Sequence, residues 1–219
     1  MDRLNELWPE FWQAALETLY MTTVALALSG VLGTIIGIGL YVTRAGGLMP
    51  NRVLNAIIGF FVNFFRPIPF VIFIAVLMPV TRAVIGIGIG VNAGAFAIGI
   101  AASFAIGRIV EQHLVSVSPG VIEAARSMGA GPWRILFTVA IPESLGPLIL
   151  GYTFIVVALI DMTAMAGLVG GGGLGAFAQI YGFRQFEPVV MWAAIILIVA
   201  FVHLVQTLGA RLARKIMRR

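Results

Sequence analysis

From residue 19 to residue 42 the chain carries no Asp, Glu, Lys or Arg. A helix needs roughly 20 consecutive apolar residues to cross the hydrocarbon core of a bilayer. A helix that is apolar on every side must be surrounded by apolar matter, either a large protein core or lipid. Size closes the first option: in 219 residues, 60% hydrophobic and 11% charged, too little polar surface exists to wrap so much apolar chain, so lipid is the main solvent. Comparable runs follow, and together they predict spans at residues 19–42, 60–80, 88–108, 145–169 and 188–208. The expected fold is therefore an all-α integral membrane protein of five transmembrane helices in a single domain, residues 1–219, with a polar loop at residues 109–142 outside the lipid.

With no cysteine, disulfides and thiolate metal sites are excluded. His113 and His203 lie far apart and lack ligand spacing, so no metal site is expected. A formal charge of +5 reads as a topology signal rather than as nucleic-acid binding, because the basic residues sit between apolar runs. On alternate loops, one side collects Arg44, Arg52, Arg108, Arg126, Arg134, Arg211, Arg214, Lys215, Arg218 and Arg219, and the other only Arg3, Arg82 and Arg184. By the positive-inside rule the first side is cytoplasmic, the N-terminus is outside and the C-terminus is inside. Asp2, Glu6 and Glu10 against one Arg3 argue against a cleavable signal peptide at the N-terminus. Trp8, Phe11, Trp12 and Tyr20 suit an interfacial anchor before the first span.

Small residues recur in register. Ala25, Ser29, Gly33 and Gly37 do so in the first span, and Ala93, Ala97, Ala101 and Ala105, beside Gly99, Ser103 and Gly107, in the third. Such stripes let helix backbones approach closely. Five helices enclose a pathway poorly, so a symmetric pair of chains is expected.

The second region is broken by Arg66-Pro67-Ile68-Pro69. Before it, Arg52, Asn55, Gly59, Asn63 and Arg66 fall on one helical face, opposite Leu54, Ile57, Ile58, Phe61 and Phe65. This amphipathic helix either lies along the interface or lines a polar cavity.

The loop contains Ser118-Pro119-Gly120-Val121-Ile122-Glu123-Ala124-Ala125-Arg126-Ser127-Met128-Gly129-Ala130-Gly131-Pro132. Ser-Pro predicts a helix start with Ser118 as cap, Glu123 is expected in an early turn, and Gly129 a stop. The short helix would carry Val121, Ala124, Ala125 and Met128 on one face, suited to docking in a partner's groove. The spacing Glu123-Ala124-Ala125, Gly129, Val139, Ile141-Pro142 resembles the "EAA" loop of type I permease subunits of bacterial ABC importers. Phe65-Arg66-Pro67-Ile68-Pro69-Phe70 and the run Ala164-Met165-Ala166-Gly167-Leu168-Val169 with Gly170 to Gly175 around Leu174 are similar to segments of methionine-importer permeases.

The resemblance implies an ATP-driven importer of methionine, D or L, or a related amino acid, in the bacterial inner membrane. It implies a second copy of the chain, two cytoplasmic ABC ATPase subunits that bind ATP and Mg, and a periplasmic or lipid-anchored binding protein, with no cofactor in this chain and no enzymatic activity of its own. The coupling residues would be Glu123, Ala124, Ala125, Met128, Gly129 and Pro142, and the gate or pathway residues Met165, Asp161 and Arg66. A permease for another small solute such as a quaternary amine is the alternative; an ion-coupled secondary carrier using Asp161 and Arg66, or a structural membrane protein, would be of a different class. Each residue also has a plainer reading. Glu123 could only stabilise its helix, Gly129 could answer a backbone need, Met165 and His203 could only pack. Asp161, costing ~2.5–3.5 kcal/mol at a span centre, could pair internally with Arg66 or Arg184. The polyglycine lacks the Gly-Lys-Ser/Thr ending of a phosphate loop, so it suits a hinge, a re-entrant turn or a plain loop rather than nucleotide.

Overall fold

The computed structural model describes residues 2–217, so the expected topology role of Arg218 and Arg219 lies outside the described residues. A short helix α1 (Asp2–Glu6) leads into α2 (Trp8–Thr43). With 36 residues, α2 is about 54 Å long at 1.5 Å per residue, well beyond a ~30 Å hydrocarbon core. The helix thus begins eleven residues before the apolar run. Trp8 and Trp12 are exposed along this extension and Tyr20 just past it, whereas Phe11 is buried, its ring 5.5 Å from that of Phe177.

Next come α3 (Arg52–Phe65) and α4 (Phe70–Ile85), bent from each other by 115°. The break falls where Pro67 and Pro69 remove amide donors. Asn51 opens α3 by accepting a hydrogen bond from Leu54 N–H at 3.0 Å, and Gly86 closes α4 at φ 86°. The third long helix, α5 (Val91–Val115), runs eight residues past the smallest-residue stripe. Then come α6 (Pro119–Ser127), α7 (Pro132–Ile135), a π-helical turn at Leu136–Ala140 and α8 (Ile141–Leu168). Lastly α9 (Gly173–Phe177), a second π-helical turn at Ala178–Phe183 and α10 (Pro188–Met217) complete the chain. Four helical stretches are long and apolar enough to cross a membrane, and five if the bent α3–α4 pair counts as one span. No strand occurs among the described residues.

The core is the α2–α5 contact. Ala25, Ser29, Gly33 and Gly37 of α2 are all buried, facing Ala97, Gly99, Ser103 and Gly107 of α5. A methyl group on Gly33 would lie 2.5 Å from the Ile106 Cβ, and one on Gly37 2.6 Å from the Gly107 carbonyl oxygen. The α2 stripe therefore meets Gly99, Ser103 and Gly107 of α5, whereas Ala101 and Ala105 of the alanine stripe turn toward Phe73 of α4 and Leu159 of α8; at the α2–α5 contact backbone proximity replaces the hydrophobic drive that lipid cannot supply. Around them Ile98, Ile106, Val110 and Leu114 join Ile155 and Leu159 of α8 in one apolar cluster.

Helix α3 turns its polar face into the protein. Asn55 donates to the Leu40 carbonyl at 3.0 Å and to Thr43 Oγ1 at 3.1 Å, and Asn63 accepts from Arg108 at 2.7 Å. The polar residues thus turn toward α2 and α5, while Val53, Leu54, Ile57, Phe60, Phe61 and Phe64 are exposed. In lipid that is the cheaper arrangement, since polar groups find partners only inside the protein.

Candidate functional site

The loop between α5 and α8 is shorter than residues 109–142 because helix persists to Val115 and restarts at Pro132. Within it α6 is a helix of nine residues. Pro119 occupies its first turn, where its missing N–H costs nothing. Ser118 makes no side-chain cap, and Glu123 lies beyond the first turn, exposed. Both expectations of a polar start are thereby corrected: proline alone sets the entry. The stop is a Schellman motif. Gly129 adopts φ 78°, Gly129 N–H donates to the Arg126 carbonyl at 2.9 Å, and Ala130 N–H to the Ala125 carbonyl at 3.1 Å.

The faces of α6 divide sharply. Ala125 is buried and Ile122 half-buried, both packed in the cluster that contains Tyr41, Leu48, Ile135 and Leu136. Ala125 is thus a root residue, not part of an outward face with Ala124. The outward stripe is Val121, Ala124 and Met128, the last 81% exposed. Arg126 reaches sideways and donates to the Gly47 carbonyl at 3.0 Å, tying α6 to the turn between α2 and α3. Beside α6, Trp133 and Phe137 are exposed and stacked at 6.2 Å between ring centroids. Pro142 is not on α6 at all. It stands in the first turn of α8, and where its ring would disrupt an α-helix the backbone widens, Ile141 N–H bonding back to the Leu136 carbonyl across the π-helical turn.

At the far end of α8, Met165 is exposed, on one stripe with Phe154, Asp161 and Leu168. Asp161 forms no ion pair with Arg66, Arg184 or any other described residue; the ion pairs present are Arg3–Glu6 and Arg108–Glu111. Of the two readings left open for Asp161, internal pairing with Arg66 or Arg184 is not seen among the described residues. His203 is likewise exposed on α10 rather than packed.

The glycine run turns the chain back on itself. Gly170, Gly172 and Gly173 take φ of 88°, 78° and 77°, conformations that disfavour side chains. The returning α9 packs on α8 so tightly that a methyl on Gly175 would meet the Ala164 carbonyl oxygen at 2.5 Å. Its free amides are met from α2, Gly173 N–H by Glu17 Oε2 and Leu174 N–H by Thr18 Oγ1, each at 2.8 Å. Sequence reasoning missed Glu17 and Thr18, since their partners lie 156 residues away.

Between the α3–α4 break, α5 and α8 lies a cavity of about 200 Å³. Phe65, Arg66, Phe70 and Phe73 form one wall, Ala158 and Met162 of α8 the other. The Arg-Pro-x-Pro run marked the break, but nothing local marked the opposite wall.

The comparisons fit this geometry. The chain is 41% identical over 200 residues, 91% of this chain and 90% of the relative, to the methionine import system permease protein MetP of Bacillus subtilis. It is 38% identical over 151 residues, 69% of this chain and 70% of the relative, to the D-methionine transport system permease protein MetI of Escherichia coli K12. Among solved structures, an inward-facing form of the MetNI methionine ABC transporter superposes with a TM-score of 0.93 at 36% identity, covering 97% of this chain and 98% of that one. A family profile described as the inner membrane component of binding-protein-dependent transport systems matches residues 29–218. By that match and these relatives, the chain belongs to the family of binding-protein-dependent transport system inner membrane components.

Proposed function

We propose that this chain is the permease subunit of an ATP-driven methionine importer, working as two copies with a pair of cytoplasmic ABC ATPase subunits and an external binding protein. The observation that carries the reading is α6: a short rod whose root is fixed in the core through Ala125 and Ile122 and whose outward stripe, Val121, Ala124 and Met128, is exposed, with no apolar partner among the described residues. Such a stripe fits a groove on a second protein. The names of the relatives support methionine as substrate.

In this reading α6, Arg44, Arg126 and Arg134 face the cytoplasm, the N-terminus faces outward and the C-terminus inward. ATP and Mg bind the partner ATPase, whose closure grips α6. Because Arg126 holds the turn after α2 and Ala125 packs at the root of α8, the displacement passes to both. The ATPase states differ in affinity for the two arrangements of α6, and that difference is the free energy that reorients the bundle. Glu123 and Gly129 contribute contact and shape to the rod, Pro142 the flexed root of α8, and Met165 with the glycine turn the outer gate.

The test is uptake of radiolabelled methionine into proteoliposomes holding the chain, its ATPase and its binding protein. Uptake that needs ATP and binding protein is expected, with strong loss for Glu123→Ala combined with Gly129→Ala. Uptake by the chain alone, driven by an ion gradient without ATP, would identify a secondary carrier instead.

A further inference from the structure

A cavity of about 760 Å³ opens between the first turns of α8 and the last turns of α10, within the ~300–1,000 Å³ range of small-molecule sites. Leu145 and Pro147 of α8 and Leu212 and Ile216 of α10 supply its apolar lining, and Glu143 and Lys215 its charged groups. The two helices cross closely here, since a methyl on Gly146 would overlap the Met217 side chain. Lys215 and Glu143 form no ion pair with each other. Arg211, exposed, lies one turn before Lys215, so their Cβ atoms are some 5–6 Å apart. Two cations against one carboxylate leave this end of the cleft net positive.

The depth of the cleft narrows what it can take. From Pro188 to Ala210, α10 carries no Asp, Glu, Lys or Arg, a stretch long enough at 1.5 Å per residue to fill a ~30 Å hydrocarbon core. Arg211 and Lys215 therefore arrive where hydrocarbon gives way to headgroups. Helix α8 starts at the same level, with Glu143 in its first turn and no further charge until Asp161. The cleft thus straddles the membrane boundary. A small soluble anion would leave its apolar lining unused, and a plain hydrocarbon would leave Lys215 and Arg211 unanswered, whereas a lipid with a phosphate answers both.

We propose that this cleft holds one anionic phospholipid, its phosphate met by Lys215 and Arg211 and one acyl chain laid along Leu145, Leu212 and Ile216. Basic pockets between membrane helices on the cytoplasmic side take anionic headgroups in this way, and the long stems of Lys and Arg lie on apolar surface while the charge reaches headgroup level. The inference rests on the permease reading above only in placing this end of α10 in the cytoplasmic leaflet. A lipid seated here touches the root of α8, where Pro142 follows the π-helical turn, and the end of α10 together.

The experiment adds to the detergent-solubilised permease–ATPase complex a phosphatidylglycerol with a photoactivatable group in its acyl chain, or phosphatidylethanolamine with the same chains and group, and maps the crosslinked peptides. ATP-driven methionine uptake by the same complex with its binding protein is measured in parallel. Phosphatidylglycerol should label peptides containing Leu145 or Leu212 about tenfold more than phosphatidylethanolamine does. Lys215→Gln combined with Arg211→Gln should cut that preference to about twofold or less, and Lys215→Arg should keep it. Arg52→Gln, at an exposed site on α3, should leave it unchanged. Equal labelling by the two lipids, labelling only outside the cleft, or an equal loss in Arg52→Gln overturns the site and leaves the permease reading standing. Release of the ATPase by the double variant also overturns it, since that face would then belong to the ATPase. Absence of ATP-driven uptake in the wild type sinks the permease reading, whereas selective crosslinking in the cleft would still uphold the lipid site.

Discussion

Leu174 N–H is held by the hydroxyl of Thr18, 156 residues earlier, at 2.8 Å, and Glu17 beside it holds Gly173 N–H at the same distance. A helix N-terminus ordinarily finds its cap in the residue just before it. Here that residue is Gly172, which has no side chain to offer, so the first crossing supplies the cap for the returning segment. The glycines that let the chain turn back also strip it of local caps, and α2 makes good the loss.

Replacing Thr18 by Val keeps its shape and removes the acceptor. Loss of a helix cap costs about 0.5–2 kcal/mol, so thermal unfolding of the complex in detergent should fall by a few degrees. Labelling of a cysteine placed at Val169, exposed just before the turn, should speed up, while a cysteine at Met217 should label as before.

The α2–α5 contact leaves no room for a side chain at Gly37, where a methyl would meet the Gly107 carbonyl oxygen at 2.6 Å. Gly37→Leu should destabilise by about 1–3 kcal/mol or more, as overpacking does. Gly46, whose added methyl meets nothing, stands at φ 75° and should lose only about 1–2 kcal/mol on replacement by Ala. Thermal unfolding of the two variants separates crowding from backbone strain.

Gly129 closes α6 at φ 78° with open space around its Cα. Gly129→Ala should cost about 1–2 kcal/mol through the left-handed backbone alone, and Gly129→Asn less, because Asn tolerates that region. If the end of α6 matters for coupling, ATP-driven uptake should follow the order Gly, Asn, Ala.

Met128, the most exposed residue of α6 at 81%, can be changed without disturbing the core. Met128→Glu should leave the chain folded and weaken its co-purification with the ATPase by about tenfold or more, because an unpaired charge would be buried in the groove. Arg126→Ala should behave differently: assembly persists, while uptake per ATP falls, since the tie to Gly47 is lost.

The long crossings and the stop at Gly129 were legible in the sequence because they depend on local matters, unbroken apolarity and a glycine at the end of a short helix. The small-residue stripe of α2 was legible too, and the structure adds that it faces Gly99, Ser103 and Gly107 of α5, not Ala101 and Ala105. The orientation of α3 was not. Its two faces could be read from the periodicity, but Asn55 turns inward only because the Leu40 carbonyl and Thr43 are there to receive it, and a one-dimensional pattern does not say which face has company. Ala125 was misplaced for a related reason. Alanine fits a docking face and a tight core equally well, and burial at 3% is decided by Ile135 and Leu136, which lie beyond the helix. Asp161 stands out in the sequence as anomalous for a membrane segment, but the periodicity of α8 does not say that it falls on the exposed stripe with Phe154 and Met165 rather than on the face that lines the cavity.

The 115° corner between α3 and α4 carries one more implication. A straight rod through a bilayer can only tilt or slide, whereas an elbow with two proline hinges can swing one arm while the other stays docked. With Asn55 and Asn63 pinning the first arm to α2 and α5, any swing of this elbow falls to α4, the arm that starts at Phe70 beside the cavity. Such a swing would change the width of that cavity and would have to slide Phe70 and Ile74 over the core they pack against.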